Sequence, residues 1–285
     1  MISTDFLGEL NKFNLAVSKR ITSKYTGTRT SSAVGRGTAF TGHRIYASGD
    51  DFRMIDWKVY ARTDDLYIKL FEEERNLTVH IIIDRSASMN YGKNLTKFDY
   101  ASMIGVGFAY LATKANERFQ FATFSEGVEF FQPKRGMAHL AAMVSYLNNI
   151  KTKGISKFSD SLKQYKKAIS SRGLIVVISD FLIDLDEVEE GLYSLGSNHQ
   201  IKLVQVLDYN EKKLPIEGDV RLTDSETNQK MRTYVSPKLK SDYLTGMQAH
   251  AAKIQTACNA LNARFYSVDT GMPIFDSFFE ILKKD

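Results

Sequence analysis

Asp84, Ser86 and Ser88 form an Asp-x-Ser-x-Ser cluster at the end of an apolar run, Val79-His80-Ile81-Ile82-Ile83. A carboxylate and two hydroxyls are hard oxygen donors, suited to Mg²⁺ rather than to a soft metal. The pattern is short and recurs by chance, so its position is what gives it meaning. The β-branched run before it has strand length, turn residues Asn90 to Gly92 follow, and a helical pattern extends from about Lys97 to Ala115. In an open α/β sheet, ligands bind beyond the carboxyl ends of parallel strands, where loops converge.

Two further loops are predicted at the same edge. One is Gly154-Ile155-Ser156, and the other is Ser179-Asp180, which closes the buried-type run from Leu174. Between these loops the periodicity predicts a strand at 119–124 and a short third strand at 128–132. Gly127 between them indicates a tight hairpin and an antiparallel third strand. Helices are predicted near 97–115, 138–150, 158–170, 186–195, 237–261 and 275–283, and strands at 201–207 and 264–268. Strands alternating with helices imply a mostly parallel, doubly wound sheet covered on both faces, with one antiparallel edge strand. The polar stretch 211–236 interrupts this rhythm and is read as a hairpin insertion. Gly105 and Gly107, inside the helix after the central strand, are expected to permit close helix–sheet packing rather than to bind a ligand.

Upstream, residues 3–18 pattern as an amphipathic helix, and 21–37 are rich in Thr, Ser and Gly. The chain thus divides into an N-terminal extension, 1–76, and an α/β domain, 77–285. Its 285 residues, 43% hydrophobic and 25% charged, describe an ordinary globular protein able to bury a core. The net charge of +5 is unevenly spread, because Leu10 to Gly49 contains no Asp or Glu. That basic segment should present a positive field to an anionic partner. A single cysteine, Cys258, excludes an internal disulfide, is read as a packing residue, and favours a reducing compartment. With no signal-like start and no apolar run near the ~20 residues that span a bilayer, the expected location is cytoplasmic.

The three loops together resemble the metal-ion-dependent adhesion site of von Willebrand factor A domains. Carried over by position, the resemblance implies Asp84, Ser86, Ser88, Ser156 and Asp180 as donors to Mg²⁺, with Mn²⁺ or Ca²⁺ as alternatives. Ser156 stands where that family usually has Thr, keeping the hydroxyl and losing the methyl. The implied fold is the Rossmann-like von Willebrand factor A type. Few direct carboxylates would leave the ion under-neutralised, with a coordination position open to a carboxylate from a protein partner. The competing reading is that Asp84 and Asp180 only cap turns.

A second resemblance covers the extension. Gly35-x-Gly37, Phe40, Arg44, Tyr46, Gly49-Asp50-Asp51, Arg53, Ile55-Asp56-Trp57, Ala61-Arg62 and Glu74 resemble the signature of the "domain of unknown function 58" family. Thr38-Ala39 and Ser48 depart from it, where an acidic residue and Pro are usual. The resemblance implies an adaptor working with a MoxR-type AAA+ ATPase in protein maturation or remodelling. Read from the residues, Asp50, Asp51 and Asp56 interleave with Arg44, Arg53, Lys58 and Arg62, which predicts a structural charge network with Trp57 and Tyr60 packed beneath it. Gly35-Arg36-Gly37 is no phosphate loop, since no Gly-Lys-Ser/Thr follows. Two other functions stay open, a Mg²⁺-dependent hydrolase and a nucleic-acid binder using the basic segment. Against the first, no histidine has triad-like context. Against the second, few aromatics are interleaved with the charges, so specific nucleic-acid binding is not expected.

Overall fold

The structure is a computed structural model that describes residues 2, 4–21, 32–33, 39–72, 77–93, 95–169, 172–196, 198–225 and 229–283. In chain order the helices and strands are α1 (Thr4–Ile21), β1 (Ser32–Ala33), β2 (Ala39–Ile45), α2 (Trp57–Thr63), β3 (Tyr67–Glu72), β4 (Thr78–Asp84), α3 (Lys97–Lys114), β5 (Arg118–Phe124), β6 (Val128–Phe130) and α4 (Met137–Asn149). They continue with α5 (Phe158–Lys166), β7 (Gly173–Ser179), α6 (Leu185–Leu195), β8 (Gln200–Leu207), α7 (Tyr209–Lys213), β9 (Gly218–Thr223), β10 (Lys230–Val235), α8 (Pro237–Ala260), β11 (Arg264–Asp269) and α9 (Ile274–Lys283). The chain forms two compact units, Met1–Leu10 with Leu77–Asp285, and Asn11–Asn76.

The larger unit is built on a six-stranded sheet ordered β11-β8-β7-β4-β5-β6. Every pairing is parallel except β5 with β6, which is antiparallel at the edge. β4 is central and buried along its whole length. Its β-branched residues suit a strand covered on both faces. From β4 the chain builds outward through β5 and β6, then returns to the other side of β4 to add β7, β8 and β11. The direction of growth therefore reverses between β4 and β7. At such a switch point the loops leaving adjacent strands diverge and open a crevice at their carboxyl ends.

Helix α3 lies against the face presented by Ile81 and Ile83. Gly105 makes that approach possible, since a Cβ there would stand 2.7 Å from Ile83 Cδ1. Gly107 serves a different neighbour: a Cβ would stand 2.9 Å from the Phe278 ring of α9. On the opposite face, Phe158 and Leu162 of α5, Val188 and Leu192 of α6, and Ile254 and Cys258 of α8 close over Ile82, Val177 and Leu203. Burial pushes the Cys258 thiol up to about 12, which fits a packing role. Within the polar stretch after β8, β9 and β10 form an antiparallel hairpin pairing Leu222 with Met231.

The smaller unit carries the antiparallel sheet β1-β3-β2. Its charge network is local. Arg44 donates to both Asp50 oxygens at 2.9 and 3.0 Å, while Asp56 pairs with His43 at 2.9 Å and accepts the Lys58 amide at 3.0 Å to cap α2. Trp57 and Tyr60 do not pack beneath it as the sequence pattern predicted. They are 59% and 38% exposed and meet each other edge-on. The reason is that Ile55 and Asp56, directly before α2, take the inward positions and leave its first residue facing solvent. The Gly35-Arg36-Gly37 element, Glu74 and the middle of the basic segment lie outside the described residues.

His80 sits mid-strand in β4 and shares a 2.9 Å hydrogen bond between Nδ1 and the Tyr165 hydroxyl. Burial, reinforced by the charge of His199, holds its pKa down from 6.5 to about 4. It is thus neutral in the fold and protonated in the unfolded chain below about pH 6.5. Its contribution to stability is present above that pH and is lost as pH falls toward 4. His80→Gln should remove a pH dependence on the order of 2–3 kcal/mol between pH 7 and 4, read as the wild-type minus variant difference in urea unfolding. An identical pH slope in both proteins would contradict it.

Candidate metal centre

Asp84 ends β4 and Asp180 follows β7, at the edge where the direction of sheet growth reverses. Asp84 is fully buried. Its Oδ1 accepts the Ser86 amide at 2.8 Å, tightening the turn out of β4. Its Oδ2 accepts two hydroxyls, Ser156 Oγ at 3.0 Å and Ser179 Oγ at 2.7 Å. Ser86 Oγ and Ser88 Oγ stand 3.0 Å apart. Residues 84, 86, 88, 156 and 180 were all predicted for one site, and the structure places them at neighbouring strand ends and loops.

The loops are fixed by backbone bonds. The Ala87 amide donates to the Gly154 carbonyl at 2.9 Å, the Lys153 amide to the Arg85 carbonyl at 2.9 Å, and the Lys157 amide to the Ser125 carbonyl at 2.8 Å. Gly154 has φ of +78°, and a Cβ there would come within 2.9 Å of Glu126 Oε1. The position therefore favours glycine on two counts. After β7, Phe181 is held at φ of +51°. Ser179 Oγ accepts its amide at 3.1 Å, and the His250 ring meets its carbonyl at 2.7 Å. Gln205 donates to the Asp180 carbonyl at 2.9 Å.

Sequence reasoning did not find Lys97, the first residue of α3. Its Nζ donates to Asp180 Oδ2 at 2.8 Å and to Glu211 Oε1 at 2.8 Å, with the lysine side chain only 1% exposed. Burial pulls the ammonium pKa down, but the charges of Asp180 and Glu211 more than offset it and raise the value overall. The only signal in the sequence is a lysine opening a mostly apolar helix, where a solvated side chain is the ordinary expectation.

Asp84 stands differently. Among the described residues only amide and hydroxyl groups hydrogen-bond to it, and no cation does. Burial, then the negative charge of Asp180, raises its pKa from 3.8 to about 6. Among the described residues no three His, Cys, Asp or Glu gather as a metal site. Any ion would therefore be held largely by hydroxyls. The chemistry of this set suits Mg²⁺, with hard oxygens and a buried carboxylate that has no hydrogen-bonded cation among the described residues; Ser86 Oγ and Ser88 Oγ share a hydrogen bond.

Fold and site define a class of protein, a doubly wound α/β domain with a buried cluster of oxygen donors at the switch point of its sheet. The chain belongs to the family described as "Protein of unknown function DUF58", which matches residues 42–253. Uncharacterized proteins of Mycobacterium tuberculosis and Mycobacterium bovis are 26% identical over 267 residues, covering 92% of this chain and 84% of theirs. Among solved structures, an aerotolerance-related membrane protein from Bacteroides fragilis matches at 14% identity and a TM-score of 0.49, covering 73% of this chain and 100% of that one. A von Willebrand factor type A structure from Catenulispora acidiphila matches at 14% identity and a TM-score of 0.45, covering 74% of this chain and 43% of that one. No helix of the described residues is long and apolar enough to cross a membrane.

Because Asp84's pKa is raised in the fold, the native state binds more protons than the unfolded chain between pH 3.8 and about 6. Its charge therefore costs stability as pH rises through that window. In EDTA, Asp84→Asn is expected to stabilise the protein by about 2 kcal/mol at pH 8, with the gain fading toward zero near pH 4. Denaturant unfolding at both pH values checks this, and a variant less stable than wild type at pH 8 would refute it.

Proposed function

We propose that this protein is a metal-ion-dependent binding module, in which Asp84, Ser86, Ser88, Ser156 and Asp180 hold Mg²⁺ and a protein partner supplies a carboxylate to the ion. The observation that carries this reading is the buried Asp84 carboxylate, ringed by hydroxyl and amide donors and lacking a hydrogen-bonded cation among the described residues. Mg²⁺, when bound, would neutralise that charge and offer an open position to an anionic group. The surroundings favour a protein over a small ligand. Tyr91, Ile155 and Leu182, each within three residues of a proposed donor, are 45%, 47% and 41% exposed. Exposed aromatic and apolar side chains of this kind are what interface cores are enriched in.

Recognition is favoured over catalysis. A serine nucleophile needs a base within reach, and among the described residues no histidine hydrogen-bonds to Ser86 or Ser88. The resemblance of the residue 35–75 block to its family's signature extends the proposal: the protein acts in the cytoplasm as an adaptor that presents a client to a MoxR-type AAA+ ATPase.

Raising Mg²⁺ should raise the melting temperature of wild type, since a ligand that binds only the native state stabilises it, by about 2.7 kcal/mol at a hundredfold excess over Kd. Asp84→Ala should show no such rise. The same pair, used as bait for a MoxR-type ATPase and for lysate proteins with and without EDTA, should show Mg²⁺-dependent capture by wild type alone. Melting and capture both indifferent to Mg²⁺ would defeat the proposal.

A further inference from the structure

Lys97 is buried beside Asp180, and its two carboxylate partners come after different strands. Asp180 follows β7, and Glu211 lies in α7 after β8. A buried ammonium survives only when paired, so these contacts are as much part of the site as the hydroxyls. They also occupy Asp180, whose Oδ2 accepts from Lys97 at 2.8 Å and whose Oδ1 accepts the Leu182 amide at 3.2 Å. Among the described residues, Asp84 is left without a hydrogen-bonded cation.

The formal charges make the consequence plain. Asp84 feels the charge of Asp180, and Asp180 and Glu211 share Lys97; the linked groups carry three negative charges and one positive, a sum of minus two before any ion enters. A divalent ion brings it to neutrality, and an incoming carboxylate then adds only one negative charge. Without the lysine, the ion alone would face a cluster at minus three. It would be held more strongly, and the same incoming carboxylate would meet an already negative site.

We propose that Lys97 is a fixed cation of this centre, a positioning residue that shares the charge of Asp180 and Glu211, so that Asp180 serves the metal with its charge already partly answered. Mg²⁺ alone is then bound weakly, and ion and partner carboxylate are bound together. This rests on the metal-dependent reading above and adds the group that sets its affinity and its dependence on an anionic partner.

The test is calorimetric titration of Mg²⁺ into wild type, Lys97→Gln and Glu211→Gln, each checked for folding by circular dichroism in EDTA. Lys97→Gln should bind Mg²⁺ about tenfold or more tightly, and Glu211→Gln several-fold more weakly, because one change removes a positive charge beside the ion and the other a negative one. A merely structural ion pair would move neither, or would weaken both through lost stability. Either result overturns the proposal. Should Lys97→Gln fail to fold, Glu211, whose side chain is 19% exposed, decides: Mg²⁺ affinity in Glu211→Gln that is unchanged, or weakened together with a lower melting temperature in EDTA, overturns the role of Lys97, and weakening at unchanged melting temperature in EDTA supports it. Mg²⁺ heats absent from all three proteins would instead overturn the metal reading itself, and this inference with it.

Discussion

A carboxylate buried at the end of a central strand is unfavourable unless something answers its charge, and much of the larger unit is arranged around Asp84. Ser156 and Ser179 reach it from separate loops, and the Ser86 amide closes on it from its own turn. Those donors are uncharged, so they temper the burial without cancelling it. Asp180 on the adjacent strand adds like charge. A fold that places two carboxylates side by side, and gives the available lysine to only one, is stable chiefly because parallel strands and apolar helices on both faces hold that edge in place. The site draws on the stability of the core.

The sheet was legible because its strands are written as β-branched runs that stop at polar turns. Thr78–Asp84 and Gly173–Ser179 need no tertiary knowledge to be read as buried strands. The antiparallel edge was legible from one glycine, since Gly127 between two short runs leaves little else than a hairpin. Asp84 and Asp180 could be placed from their strand ends, because parallel topology sends such ends to one edge, whereas Ser86, Ser88 and Ser156 were named as donors through the resemblance to von Willebrand factor A domains.

What escaped was whatever depends on side-chain reach across the crevice. Lys97 and Glu211 are separated by 114 residues, and the turn of helix that carries each gives no hint of the other. A lysine at the start of a helix is nearly always solvated, so local pattern argues against the buried position it takes. Trp57 shows the opposite error. Its size argues for burial, yet Ile55 and Asp56 hold the inward positions and Ile55 pairs with Ile68 of β3. In both cases the competition among neighbouring side chains for interior space, not the residue's own preference, decides the outcome.

The central position of β4 has a consequence during synthesis. Its two lateral neighbours, β5 and β7, both follow it in the chain, and Ser179 at the end of β7 lies 95 residues after Asp84. At translation rates of roughly 5–20 residues per second, β4 leaves the ribosome some 5–20 s before its second partner exists. Through that interval one edge of a strand rich in isoleucine lacks its native mate. The nascent chain must therefore keep it from pairing with another molecule, and the half-built sheet is the stage at which a general chaperone would be most needed.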